Sequence, residues 1–298
     1  MLAIVIPYYK LTFFEATLQS LASQKDKRFK VYIGDDASPE NPIDLLEKYK
    51  GNFDFDYHRF ETNLGGISLT KQWERCIALS ADEEWLMLLG DDDVLGDNVL
   101  EEFYKQYPVF YCNVNVVRFS SKLIDYRSDK ISEVFTHPVW ESSSEFFQRK
   151  LKGKTRSSLS EYVFSRSSYL KSKFCDYPLA WHSDDMAWIE FSQDKQIYSI
   201  NEAQMKIGFS NLSISGMNDN LDLKVSASLA FYKNILKKHS RIFSKKERLE
   251  ILIKYEVLIK QSRKLYSEEW LFLLSQYFRN FSMIPFAKLC KRILIAYR

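Results

Sequence analysis

Cysteine is scarce in this 298-residue chain, limited to Cys76, Cys112, Cys175 and Cys290, and no two of them form a CxxC pair. That spread argues against a zinc site or a disulfide framework and fits a reducing compartment. Glycine is scarce too, with nine residues, and none is arranged as GxGxxG or as GxxxxGK followed by Ser or Thr. A dinucleotide oxidoreductase and a P-loop NTPase are therefore disfavoured. No run approaches the roughly 18–20 apolar residues that span a membrane. No basic segment leading into a long apolar one opens the chain, so the expectation is a cytoplasmic protein without a signal peptide. Internal repeats, low-complexity tracts and long linkers are missing as well.

What is present is an ordinary globular composition, 46% hydrophobic and 27% charged. Aromatic residues reach 15%, enough for a large aromatic core with a few rings left over for a base or a sugar. The net charge of +3 conceals a split. Residues 224–298 hold 17 Lys or Arg against 5 Asp or Glu, and the remainder holds 25 basic and 34 acidic residues. An acidic part followed by a basic part suggests two different tasks.

The first hundred residues alternate strand and helix. Residues 2–7 (LAIVIP) form a continuous apolar run, as in a strand buried on both faces of a parallel sheet. Further strands are expected at 30–33, 55–60 and 85–89, with helices between them and a short helix from an Asp97 cap to Tyr107. Residues 109–119 read as another strand. Ser142 with Glu145 has capping-box spacing, and Ser183 is a candidate N-cap that puts Asp184 and Asp185 in a first helical turn. After about residue 220 the pattern becomes helix upon helix, at 221–239, 244–266, 267–280 and 285–298, with Pro285 at a first helical position. The expected architecture is α/β, a doubly wound and mainly parallel sheet flanked by helices. Residues 1–219 would form it, and 220–298 would form a basic all-helical region.

In such a sheet the loops at the carboxyl ends of strands build the binding crevice. Polar clusters follow four strands in turn: Tyr8-Tyr9-Lys10, Asp35-Asp36, Asn63 to Gly66, and Asp91-Asp92-Asp93. Three adjacent carboxylates repel one another, and a hard divalent cation shared with substrate phosphates relieves that repulsion. An acidic turn that caps a helix is the alternative. Asp35 and Asp36 could accept hydrogen bonds from a ribose or a base, or simply cap the next segment. The glycine pair at Gly65 and Gly66 suits a turn or close approach to a ligand.

Taken together, the segments 4–10 (IVIPYYK), 35–38 (DDAS), 63–66 (NLGG) and 88–95 (LLGDDDVL) resemble the family-2 inverting glycosyltransferases of the bacterial surface-polysaccharide type. The resemblance spans roughly residues 1–215 and implies a GT-A fold. It further implies that Pro7, Tyr9, Asp35, Asp36, Asn63, Gly65, Lys71, Asp91 and Asp92 bind a nucleotide-sugar, with Tyr9 stacking on the base. Asp92 or Asp93 would hold a divalent metal, Mn2+ or Mg2+. Trp181-His182-Ser183-Asp184-Asp185 looks like the family's Glu-Asp element, which implies Asp185 as catalytic base with Asp184 in reserve. The alternative for that pair is a favourable interaction with the helix dipole. Trp181, His182 and Glu161 are candidates for acceptor contact.

The chain departs from the family pattern in places: Gly90 replaces the first acidic residue of Asp-x-Asp-Asp, Lys10 replaces an Asn, and an Arg-Asn pair is missing near Thr70-Lys71. The function implied is transfer of a hexosyl or N-acetylhexosaminyl group from a UDP-linked donor to a glycan or lipid-linked glycan. No nucleic-acid partner is expected. The rivals are a nucleotidyltransferase, which would want a Gly-rich basic loop after strand one, and a non-catalytic module of decayed transferase fold. Three readings suit the basic helices: a packed subdomain, an attachment to an anionic membrane at its inner face, or a homodimer interface.

Overall fold

The structure is a computed structural model that describes residues 1–217 and 219–296. The chain divides into two compact units, Met1–Asp219 and Asn220–Arg298. The first begins with β1 (Leu2–Tyr8), α1 (Phe14–Ala22), β2 (Phe29–Asp35), α2 (Ile43–Lys48), β3 (Phe55–Arg59), α3 (Leu69–Ile77) and β4 (Trp85–Leu88). It continues with β5 (Val94–Leu95), α4 (Val99–Phe110), β6 (Val116–Asp125), β7 (Lys130–Ile131), β8 (Trp140–Glu141) and α5 (Ser143–Leu151). It ends with β9 (Tyr162–Ser165), α6 (Arg166–Ser172), α7 (Ser183–Ser192) and β10 (Ile197–Phe209).

Strands β3, β2, β1 and β4 lie side by side and parallel. Strand β9 then inserts antiparallel between β4 and β6, and β6 runs parallel to β10. The sheet is thus mixed but mostly parallel, with one buried apolar layer on each face. Leu2, Ile4, Ile6, Phe14 and Leu18 sit in one layer, and Ala3, Val5, Trp73, Leu86 and Trp188 in the other. Burial on both sides is why β1 and β4 read as unbroken apolar runs.

Residues 109–119 differ from expectation. Helix α4 continues to Phe110 with Pro108 inside it, and the strand starts only at Val116. Phe103, Tyr107 and Phe110 recur at helical spacing and gather around Trp85, with the Phe110 and Trp85 ring centroids 5.6 Å apart. That packing offsets the backbone hydrogen bond Pro108 cannot make. The weak alternation of β6 arises because Val116 through Ser121 are buried on both faces. Asp97 does not cap α4; Asn98 occupies the N-cap without a side-chain bond. Helix α7 begins at Ser183 with His182 as its N-cap residue, so Asp184 and Asp185 do fall in its first turn. The capping box at Ser142 and Glu145 forms.

The second unit holds α8 (Leu221–Asn234), a π-helical turn at Ile235–His239, α9 (Lys245–Ser262), α10 (Ser267–Arg279) and α11 (Met283–Ala296). Pro285 lies in the first turn of α11, two residues later than expected, and the last two residues of the expected helix fall outside the described residues. Ile251, Tyr255 and Ile259 of α9 are buried, as are Leu273 and Tyr277 of α10 and Leu289 of α11. Glu256 ties these helices together. Its carboxylate accepts from Lys260 Nζ at 2.6 Å, Tyr277 Oη at 3.0 Å and Arg292 Nε and Nη2 at 2.7 and 2.8 Å.

Candidate active site

The four strand ends are cross-linked to one another by their own polar groups. Tyr9 and Lys10, after β1, each donate a backbone N–H to Asp91 Oδ2 at 2.8 Å. Ser38 Oγ, after β2, donates to the Tyr9 carbonyl at 2.6 Å. From β3, Tyr57 Oη and Arg59 Nη1 donate to Asp35 Oδ2 at 2.6 and 2.7 Å, while the Ser38 N–H donates to Asp35 Oδ1. Asp35 is fully buried and its oxygens are taken, so it braces the crevice. Asp36 accepts from the Leu64 and Gly65 N–H groups at 2.7 and 2.9 Å and from Arg75, and so shapes the turn that Asn63 opens. Asn63 itself accepts from the Gly66 N–H at 2.6 Å. Pro7 lies within β1, whereas Tyr9 remains exposed at its end. Lys71 presents an exposed side chain from the first turn of α3, capped by Ser68.

The acidic triplet separates into three roles. Asp91 anchors the β1 end; burial raises its carboxyl above the usual range, and the two N–H donors oppose that rise. Asp93 is buried, with Oδ2 accepting from Ser160 Oγ at 2.5 Å and Oδ1 from the Gly208 N–H at 2.8 Å. Burial still pushes it up to about 6. Asp92 is partly exposed and has no side-chain hydrogen-bond partner among the described residues. Burial of its inner atoms, then the charges of Asp93 and Asp91, push it up to about 8. A carboxylate in that state is destabilised unless a cation arrives.

Two glycines make this packing feasible. A Cβ at Gly90 would stand 2.8 Å from Asp93 Oδ2 and 3.0 Å from Asp92 Oδ1, so the missing first acidic residue has a steric reason. A Cβ at Gly208 would meet the Asp92 carbonyl at 2.5 Å.

The downstream pair is also asymmetric. Asp185 is buried; Lys150 Nζ donates to its Oδ1, and His182 Nδ1 lies 2.7 Å from its Oδ2. Burial would raise its carboxyl, but the Lys150 ammonium and His182 outweigh that and hold it well below the usual range. Asp184 is partly exposed, and among the described residues its carboxylate is hydrogen-bonded by no other side chain. The crowding of protein around it, then the charge of Asp185, push it up to about 6. The backbone just before is unusual, since Leu179, Ala180 and His182 all have positive φ, at 59°, 52° and 69°. Such left-handed residues cost free energy for side chains with a Cβ, and they gather where a site demands an exact course of the chain. Trp181, between them, is partly exposed with its ring 5.8 Å from that of His182.

Glu161 joins the two clusters. It is fully buried and accepts from Arg156 and from Ser158 Oγ, and its charge acts on both Asp93 and Lys150. With no exposed surface, Glu161 braces the two clusters from within. Sequence reasoning missed Lys150, Arg156, Ser160 and Arg75. Lys150 lies on a helix whose only signal was a capping box and Arg156 in the loop after it, and pairing across 35 residues leaves no local trace. Arg75 could have been noticed, because it sits one helical turn after Lys71. Among the described residues, no group of three or more His, Cys, Asp or Glu side chains forms a self-sufficient metal site.

No relative among curated protein sequences matches the chain. Among solved structures it is similar to S. aureus TarS 1-349 in complex with UDP-GlcNAc, at a TM-score of 0.66 and 14% identity, covering 94% of this chain and 81% of that one. The same fragment with UDP gives 0.63 and 14% over 94% and 80%. GalNAc-T7 with UDP, GalNAc and Mn2+ gives 0.54 and 11% over 84% of this chain and 54% of that one. At these identities the likeness is one of fold. The family described as Glycosyl transferase family 2 matches residues 3–175, which include the four strand ends and stop short of Asp184. Since that match covers more than half of its length, the chain belongs to glycosyl transferase family 2, with a GT-A fold.

Proposed function

We propose that the protein is an inverting transferase that moves a sugar, hexosyl or N-acetylhexosaminyl, from a UDP-linked donor to a hydroxyl of a glycan or lipid-linked glycan. The reading places transfer in the cytoplasm and the product in a surface polysaccharide. The observation that carries it is the pair of partly exposed carboxylates, Asp92 and Asp184, that no other side chain hydrogen-bonds among the described residues. The UDP-GlcNAc and UDP complexes of TarS support the donor class, and the Mn2+ in GalNAc-T7 supports a divalent metal.

Tyr9, exposed at the end of β1, would stack on the base. Asp36 and Asn63 hold the turn after β3 against it, and Asp91 fixes the backbone between. Asp92, rather than the protein-bound Asp93, fits a Mg2+ or Mn2+ ion that uses one or two carboxylates together with donor phosphates. A cation there would neutralise charge on the departing diphosphate. Lys71 adds a second positive charge near the phosphates.

Asp184 takes the acceptor hydroxyl proton as the oxygen attacks the anomeric carbon; the bond from that carbon to the phosphate oxygen breaks, and its electron pair leaves with UDP. A base with a carboxyl near 6 is ionised at neutral pH yet basic enough to help. Asp185 positions it, because the Lys150 ammonium neutralises Asp185 and the His182 ring hydrogen-bonds it. Release of UDP from candidate UDP-sugars, with acceptor and Mn2+, tests the reading. The expected result is acceptor-dependent release that Asp184→Asn cuts by about 10²- to 10⁴-fold while donor affinity stays within about twofold. Full turnover in that variant would remove Asp184 as the base.

A further inference from the structure

Outside the transferase site, the surface of the second unit is unlike that of an ordinary soluble bundle. Helix α10 is apolar on two sides. Trp270, Leu273 and Tyr277 face the core, and Leu271, Leu274 and Phe278 form a second stripe that faces solvent. The turn after it continues the stripe, with Phe281 exposed and its ring 5.4 Å from that of Phe286. Helix α11 then exposes Met283, Ile284, Leu294 and Ile295, each between 61% and 76% accessible. The apolar surface reaches α9 as well, where Ile253 and Val257 share with Ile284 and Lys288 the lining of a cleft of about 330 Å³. Scattered exposed apolar residues need no explanation, but a continuous set across three elements marks a contact surface.

Charge identifies what the surface contacts. From residue 270 to the end there is no Asp or Glu, while Arg279, Lys288, Lys291, Arg292 and Arg298 are basic. Arg292 is engaged by Glu256, which leaves Arg279, Lys288 and Lys291 exposed among the apolar residues. On α11, Lys291 stands between Met283 and Ile284 around the helix, so positive charge is interleaved with the apolar face instead of bordering it. A second copy would set like charges against each other. Protein interfaces in general are depleted of Lys. A helix lying in a lipid interface uses this arrangement, with long basic side chains reaching the head groups above buried apolar ones. No helix of the described residues is long and apolar enough to cross a membrane, so contact along the surface is the geometry available.

We propose that the exposed face of α10 and α11 docks onto an anionic lipid bilayer, with Leu271, Leu274, Phe278, Met283 and Leu294 entering the interface and Lys288 and Lys291 meeting the head groups. The proposal is independent of the donor and of the catalytic base.

The test uses the full chain with sedimented vesicles of pure phosphatidylcholine and of phosphatidylcholine with a third phosphatidylglycerol. Binding is expected to the second and to weaken as salt rises, since head-group attraction is screened. At about 1 kcal/mol per basic residue, Lys288→Gln with Lys291→Gln should lower the partition coefficient about 30-fold. Leu271→Ser with Phe278→Ser should lower it at least tenfold, with the melting temperature monitored to verify folding. The lysine pair provides a second readout that does not depend on core packing. Failure to bind anionic vesicles, equal binding to both compositions, or unchanged binding by the lysine variant overturns the proposal. So does a concentration-dependent dimer that the Leu271 and Phe278 variant abolishes, which would assign the face to a second copy.

Discussion

Asp184 and Asp185 are neighbours in sequence with opposite surroundings, and that difference sets the pH behaviour. As the proposed base, Asp184 would work only when ionised, and its carboxyl is pushed up to about 6. Catalytic efficiency should therefore be constant above that value and fall about tenfold per pH unit below it, a limb that Asp184→Asn erases. Asp185 is depressed in the folded state, so its contribution to stability is present above the unfolded carboxyl value and is lost as pH falls below it. Replacing it with Asn takes from Lys150 its hydrogen-bonded counter-charge and leaves only the more distant Asp184 and Glu161; because Lys150 keeps some solvent access, the expected cost is about 1–3 kcal/mol in denaturant unfolding. Restoring the family's acidic residue through Gly90→Asp should not strengthen metal response. The new Cβ would collide with Asp93 and displace Ser160, so a loss of about 1–3 kcal/mol and weaker Mn2+ stabilisation are expected in thermal scans.

The elements divide into those the sequence announces and those it conceals. Strands β1 and β4 announce themselves because burial on both faces demands apolar residues throughout, and α5 because Ser142 caps it. Only the end of helix α4, past Tyr107, is concealed behind Pro108, since an aromatic cluster that exists only in three dimensions stabilises its last turn. The antiparallel insertion of β9 is equally hidden, because a four-residue buried strand carries no direction. For the site, positions were legible and partners were not. The four strand ends could be placed from periodicity, yet the division of labour among Asp91, Asp92 and Asp93 depends on Tyr9, Ser160 and Gly208, far away along the chain. The choice between Asp184 and Asp185 likewise rests on Lys150. In the second unit, Glu256 is the fastener of α9, α10 and α11, so Glu256→Gln should cost about 1–3 kcal/mol in thermal or denaturant unfolding.

For the whole molecule, the acidic and basic portions of the sequence correspond closely to the two compact units. The acidic portion concentrates carboxylates at the carboxyl ends of parallel strands, where burial and its neighbours' charges push Asp92 up to about 8. The basic portion ends in a tract free of acidic residues. The donor site is the central claim, and thermal stability with nucleotides is its most direct measurement. UDP or a UDP-sugar near a hundredfold over its dissociation constant adds about 2.7 kcal/mol, a rise of several degrees in melting temperature. With Mn2+ present the wild-type protein should show that rise in full, and without Mn2+ only part of it. Asp92→Asn should respond like the metal-free protein. A melting temperature that no nucleotide moves, with or without Mn2+, would contradict the assignment of this crevice to a nucleotide-sugar.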